Sequence, residues 1–138
     1  MRRSRVADAC VLAGGALVLV SAWLPWVRRG PGRSLHGHAL VDAVVALGNN
    51  VPGLSSARLT VAWYLVPACG ALVWIALGLF GRRAVATRVV ASVTVVVVVL
   101  VDVAFGRVAG FGDLGSGPVV ALVGAALVGL AAWWPTTA

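Results

Sequence analysis

Asp102 is the residue on which chemistry would first be sought, because it closes a long apolar stretch and follows the unbroken valine run 95–99. An ionisable side chain costs about 2.5–3.5 kcal/mol at the centre of a bilayer, so one kept there serves a proton or cation relay or a fixed ion pair. Asp102 lies only about one helical turn from Phe105, near the end of its stretch, and that reduces the cost. The simpler reading is an interfacial aspartate that reaches the headgroups or pairs with Arg107. A relay needs further polar groups across the bilayer, and the nearby ones on this segment are Ser92 and Thr94. The interfacial reading is preferred.

His36 and His38 flank Gly37, and an i, i+2 pair in extended backbone points both imidazoles to one side, where they could bind a metal. Two ligands are too few for a dedicated site. Asp42 is the available third, and surface histidines are the default reading. Arg28, Arg29 and Arg33 directly follow Trp23-Leu24-Pro25-Trp26-Val27, so guanidinium groups and aromatic anchors come together. They suit nonspecific contact with lipid headgroups, or bidentate binding of a lipid phosphate or an anionic envelope polymer. Catalysis finds little support: the chain has no glutamate, no H-E-x-x-H and no phosphate loop, and its carboxylates are Asp8, Asp42, Asp102 and Asp113. Asp42 with His36 or His38 is the one outer-loop pairing of catalytic residue types. No enzyme activity and no cofactor are expected.

The elements that must carry these residues are four apolar stretches at about 6–27, 59–80, 84–105 and 118–134. A helix rises about 1.5 Å per residue and the hydrocarbon core is about 30 Å thick, so roughly 20 apolar residues cross it. The expected fold is all-α: a polytopic membrane protein, residues 1–138 forming one membrane domain with a bundle of four transmembrane helices. The outer loop 28–58 should hold a short amphipathic or interfacial helix, because 39–47 is apolar apart from Asp42 and is closed by Gly48-Asn49-Asn50. Along the fourth stretch Gly117, Ala121, Ala125 and Gly129 recur every four residues, a smooth stripe that admits another helix from this chain or from a partner.

Composition agrees with a membrane setting. Of 138 residues, 61% are hydrophobic, the mean hydropathy is +1.01, and a globular domain is nearer half apolar. All 11 basic residues are arginine, and the dominance of alanine, glycine and valine suggests a GC-rich bacterial genome. The net charge of +7 comes from small arginine groups beside apolar segments. That placement favours anionic lipid over nucleic acid as the partner. Cys10 and Cys69 fall at different depths of their helices, beyond the roughly 7 Å that a disulfide allows.

Residues 1–5 followed by 11–20 and Val20-Ser21-Ala22 also fit a secretory signal with its cleavage site. The full spanning length and the paired tryptophans favour a retained helix. Six arginines (2, 3, 5, 82, 83, 88) against five (28, 29, 33, 58, 107) place both termini in the cytoplasm, the six being packed into shorter segments. Trp23, Trp26, Trp63, Tyr64 and Phe105 then fall near the outer interface and Phe80, Trp133 and Trp134 near the inner one. Trp74 is too deep for either belt and should pack between helices. Pro25 and Pro67 are expected to kink their helices, whereas Pro118 sits at a helix start.

Trp23-Leu24-Pro25-Trp26, a basic glycine-containing loop, Gly37-His38-Ala39-Leu40 and Ala62-Trp63-Tyr64-Leu65-Val66-Pro67 together resemble small actinobacterial four-helix membrane proteins with a Trp-x-Pro-Trp motif. These are similar to the conserved membrane proteins associated with tryptophan-biosynthesis operons. The resemblance covers about the first half of the chain, implies a taxon and a topology, and transfers no functional residues. The expected role is a nonenzymatic integral protein of the bacterial plasma (inner) membrane, an accessory or scaffold subunit whose partners are membrane lipids and other membrane subunits or further copies of itself. A small transporter or channel component, or an envelope lipid-binding or sensor protein, is the alternative.

Overall fold

The computed structural model describes residues 2–28, 34–36, 39, 56–81 and 84–135. Along the chain these form α1 (Arg2–Ser21), strands β1 (Pro25–Arg28) and β2 (Ser34–His36), α2 (Ser56–Phe80), α3 (Val85–Ala109), a 3-10 turn (Phe111–Asp113) and α4 (Ser116–Ala132). The protein is thus all-α apart from one small sheet. The interfacial helix expected at 39–47, together with His38, Asp42, Arg29 and Arg33, lies outside the described residues, Ala39 excepted.

The four helices close into a ring in which α1 packs on α4 and α2, and α3 packs on α2 and α4. Two of them, over Thr60–Phe80 and Val85–Arg107, are long and apolar enough to cross a membrane, and Ser116–Ala132 is a shorter apolar helix. Helix α3 holds together through its valine run although β-branched side chains disfavour helices in water. Packing of α3 against α2 and α4 outweighs that small propensity. Glycines with positive φ stop α2 and α3: Gly81 (φ 73°) donates to the Leu77 carbonyl and Gly110 (φ 87°) to that of Gly106, each at 3.0 Å. Pro67 lies inside α2, which continues through it.

Helix α1 stops at Ser21, six residues before the expected end. Ala22, Trp23 and Leu24 donate to carbonyls three residues back, at 3.2, 3.0 and 3.2 Å, which tightens the last turn. Pro25 has no N–H with which to continue a helix. The chain instead enters β1, paired antiparallel with β2 through Val27–Leu35 and Arg28–Ser34, with an irregularity between Pro25 and Val27. Val27 also bridges Leu114, and the Gly115 N–H donates to the Trp26 carbonyl at 2.9 Å. The result is a small cap over one end of the ring, the strand end; α1 begins and α4 ends toward the opposite end.

Halfway along, α1 and α4 touch backbone to backbone. A Cβ on Gly14 would lie 2.6 Å from the Gly124 carbonyl oxygen, and one on Gly124 would lie 2.7 Å from that of Gly14. This waist separates two packed clusters. The one toward the strand end holds Trp26, Trp63 and Phe105 among valines and alanines. The other consists of Val11, Val73, Ala91, Val128, Ala131 and Ala132. Outward, the helices present large apolar side chains, among them Leu72, Ile75 and Leu79 of α2, Val96 and Leu100 of α3, and Leu122 and Leu130 of α4.

Candidate functional site

Four polar or charged residues are buried among those described: Ser21, Thr87, Thr94 and Asp102. Three stand on α3 at spacings of seven and eight, which at 3.6 residues per turn places them on one face, the face turned into the ring. The hydroxyls are bonded to backbone. Ser21 Oγ donates to the Val18 carbonyl at 2.6 Å and Thr94 Oγ1 to that of Val90 at 2.8 Å. Thr87 Oγ1 donates across the α2–α3 turn, 2.7 Å from the Gly81 oxygen and 3.2 Å from that of Ala76. Cys69 of α2 hydrogen-bonds Thr94 and carries a free thiol, as Cys10 does.

Asp102 differs from all of these. It is 6% exposed, and both of its carboxyl oxygens are buried without a hydrogen-bond partner. On the neighbouring antiparallel helix Trp63 is also 6% exposed, and its indole N–H is likewise buried without a partner. Both residues stand about 20 positions from the α2–α3 turn, so they share one level of the ring. Their chemistry is complementary, since an indole only donates and a carboxylate only accepts. A small group able to accept and donate at once, such as water, would satisfy both.

The expected pairing of Asp102 with Arg107 is not formed. Asp102 has no partner and Arg107 is exposed, because five positions on a helix turn the two side chains about 140° apart. Asp102 faces the interior, so the interfacial reading is replaced by a buried carboxyl. The aromatic belt changes for the same reason. Trp23 and Tyr64 are exposed, but Trp26, Trp63 and Phe105 are buried. Trp26 is fully enclosed, donates its N–H to the Ser21 carbonyl at 2.8 Å and meets Phe105 edge-on at 5.3 Å. Trp74 lies across the α1–α2 seam, its N–H 3.0 Å from the Leu12 carbonyl, in space left by Gly15, but it is half-exposed.

On α4, Ala121 and Ala125 are buried in the core, and Gly129 nearly touches Val95. Gly117 makes room for the Trp26 indole, 2.6 Å from where its Cβ would be, so this position of the stripe receives a side chain of the cap and not another helix. A backbone-to-backbone approach of two helices runs instead through Gly14 and Gly124, one position off the stripe. A Gly-x-x-x-Ala-x-x-x spacing cannot distinguish these faces, because Gly124 stands directly beside Ala125 of the stripe. Arg28 is exposed at the end of β1. His36 ends β2, and among the described residues no three His, Cys, Asp or Glu side chains gather as metal ligands. Missed in the sequence were Trp63 as a buried donor and Thr87 as the brace of the α2–α3 turn; the heptad spacing Thr87, Thr94 was the available signal for the latter.

Comparison with protein-family models, with curated proteins and with solved structures finds no match for the chain.

Proposed function

We propose that the chain is a four-span protein of a bacterial plasma membrane, with both termini cytoplasmic, that works without catalysis as an accessory or scaffold subunit of a larger membrane complex. The observation that carries this reading is the contrast between surface and interior. Large apolar side chains face outward on helix after helix, as lipid-facing surfaces do. Inside, the polar groups of α3 stand about 10 and 12 Å apart by helical rise, with valine and alanine between them, and the threonines are already bonded to backbone. Such an interior serves packing better than passage. Copurification in mild detergent tests the proposal: a stable membrane partner is expected, and isolation only as a lone monomer would count against it. Reporter fusions in the loop 28–58 and at the C-terminus test the orientation, and a periplasmic C-terminus would reverse it.

One observation favours a second reading, a small transporter component. Asp102 is a buried, unpartnered carboxyl on the same inward face as Thr94 and Thr87, and intramembrane carboxylates mark ion and proton routes. Under that reading Asp102→Asn changes proton or cation flux in proteoliposomes. Absence of flux in the native protein would end it.

A further inference from the structure

A groove of about 570 Å³ runs along the outside of the α1–α4 seam at the end opposite the strands. Val6, Ala7 and Cys10 line it from α1, and Leu127, Leu130, Ala131 and Trp134 from α4. Its volume lies within the roughly 300–1,000 Å³ of small-ligand sites, and its lining is apolar but for one thiol. We propose that this groove holds an acyl chain of an anionic phospholipid, with the headgroup drawn to Arg5 beside its mouth.

Charge selects the headgroup. Helix α1 opens Arg2-Arg3-Ser4-Arg5 immediately before the groove residue Val6, and Arg5 is exposed. On the far flank of α4, Arg88 lies over the Trp133 ring, 5.4 Å from its centroid, and its Nε is buried without a partner. Asp8 is the one acidic residue among those described at this end. The field at the mouth is therefore positive, and each arginine near a membrane surface favours anionic lipid by a fixed increment. Trp134, half-exposed at the close of α4, supplies the amphipathic ring that suits the headgroup level. A second copy of the chain fits this face poorly, because a twofold contact over the groove would set the arginine-rich start of α1 against itself.

The proposal rests on the reading of the chain as an integral membrane protein, and alkaline carbonate extraction of native membranes tests that premise alone. Release of the chain into the soluble fraction would remove the premise. For protein that stays in the membrane, native mass spectrometry in detergent then reads the site, with phosphatidylglycerol or phosphatidylcholine of identical acyl chains added back. One tightly held phosphatidylglycerol is expected, with phosphatidylcholine held much more weakly. Arg5→Gln should lower phosphatidylglycerol retention about five-fold. Val6→Trp, which fills the groove from an exposed position, should abolish it while the thermal unfolding of the protein is unchanged. Equal retention of the two lipids, retention that survives Val6→Trp, or a lipid-free dimer would each overturn the assignment.

Discussion

The two halves of the ring are stabilised by different chemistry. Toward the strand end the interior is aromatic: Trp26, Trp63 and Phe105 fill the space under the small sheet, and two polar groups, Asp102 and the Trp63 N–H, are buried there unsatisfied. Toward the termini it is aliphatic and small: the buried threonine there, Thr87, is bonded to backbone carbonyls, and the unpartnered polar atom described at that end, Arg88 Nε, belongs to a half-buried side chain lying over Trp133 and not to the core. An unsatisfied buried polar group costs about 1–3 kcal/mol, and that cost persists only where something compensates it or uses it. The terminal half is organised as packing, whereas the strand half carries a cost that pure packing would have removed.

The largest expected effect breaks the waist on which both halves depend. Gly124→Leu would drive a side chain into the Gly14 carbonyl, which lies 2.7 Å from where even a Cβ would be. Overpacking against backbone should cost about 3 kcal/mol or more, and the protein should lose its sharp thermal transition in detergent. Gly78→Leu is the matched control, since nothing lies within 4 Å of the Cβ it would add. A Gly124→Leu variant that melted like Gly78→Leu would show that α1 and α4 do not meet there.

Asp102→Leu sharpens the contrast from the other side. It keeps much the same shape and replaces both unpartnered oxygens by methyl groups, so it should stabilise the protein by about 1–3 kcal/mol, read as a higher melting temperature. A fall in stability would mean that the carboxyl has a partner and that the two halves are alike. Trp26→Phe comes next. It deletes the bond to the Ser21 carbonyl and part of the edge contact with Phe105, and should cost about 1–2 kcal/mol.

How much of this was legible depends on which physical rule governed each residue. Helices α2 and α3 contain apolar runs as long as a bilayer crossing needs, and those runs announced them. The end of α1 was not legible, because Trp23-Leu24-Pro25-Trp26 reads as an interfacial anchor unless it is known that Trp26 will enter the space opposite Gly117. Strand pairing with 34–36 is a tertiary event that no local periodicity carries. The orientation of Asp102 was hidden for a related reason. Its neighbours on every side of α3 are valine, leucine and alanine, so the three widely spaced polar positions 87, 94 and 102 were the one hint of which face turns inward. Only packing against α2 and α4 decides that residues 94, 98, 102 and 105 turn inward.

The finest test of the comparison lies within α3 itself, between two threonines that look equivalent in the sequence. Thr87 donates its hydroxyl across to the end of α2, to Gly81 and Ala76, whereas Thr94 donates to the Val90 carbonyl of its own helix and meets α2 only through the weakly bonding Cys69 thiol. Valine matches threonine in shape, so each substitution removes one hydroxyl and little else. At position 87 that removes a bond between elements and should cost about 1 kcal/mol. At position 94 the Val90 carbonyl keeps its helical partner and the bond lost to the Cys69 thiol is weak, so the change should stay within about 0.5 kcal/mol. Melting curves of Thr87→Val and Thr94→Val in the same detergent read the difference directly. Equal losses would mean that the bonds from Thr87 to the end of α2 count for no more than the local bond of Thr94, and that Thr87 is no special brace of the α2–α3 turn.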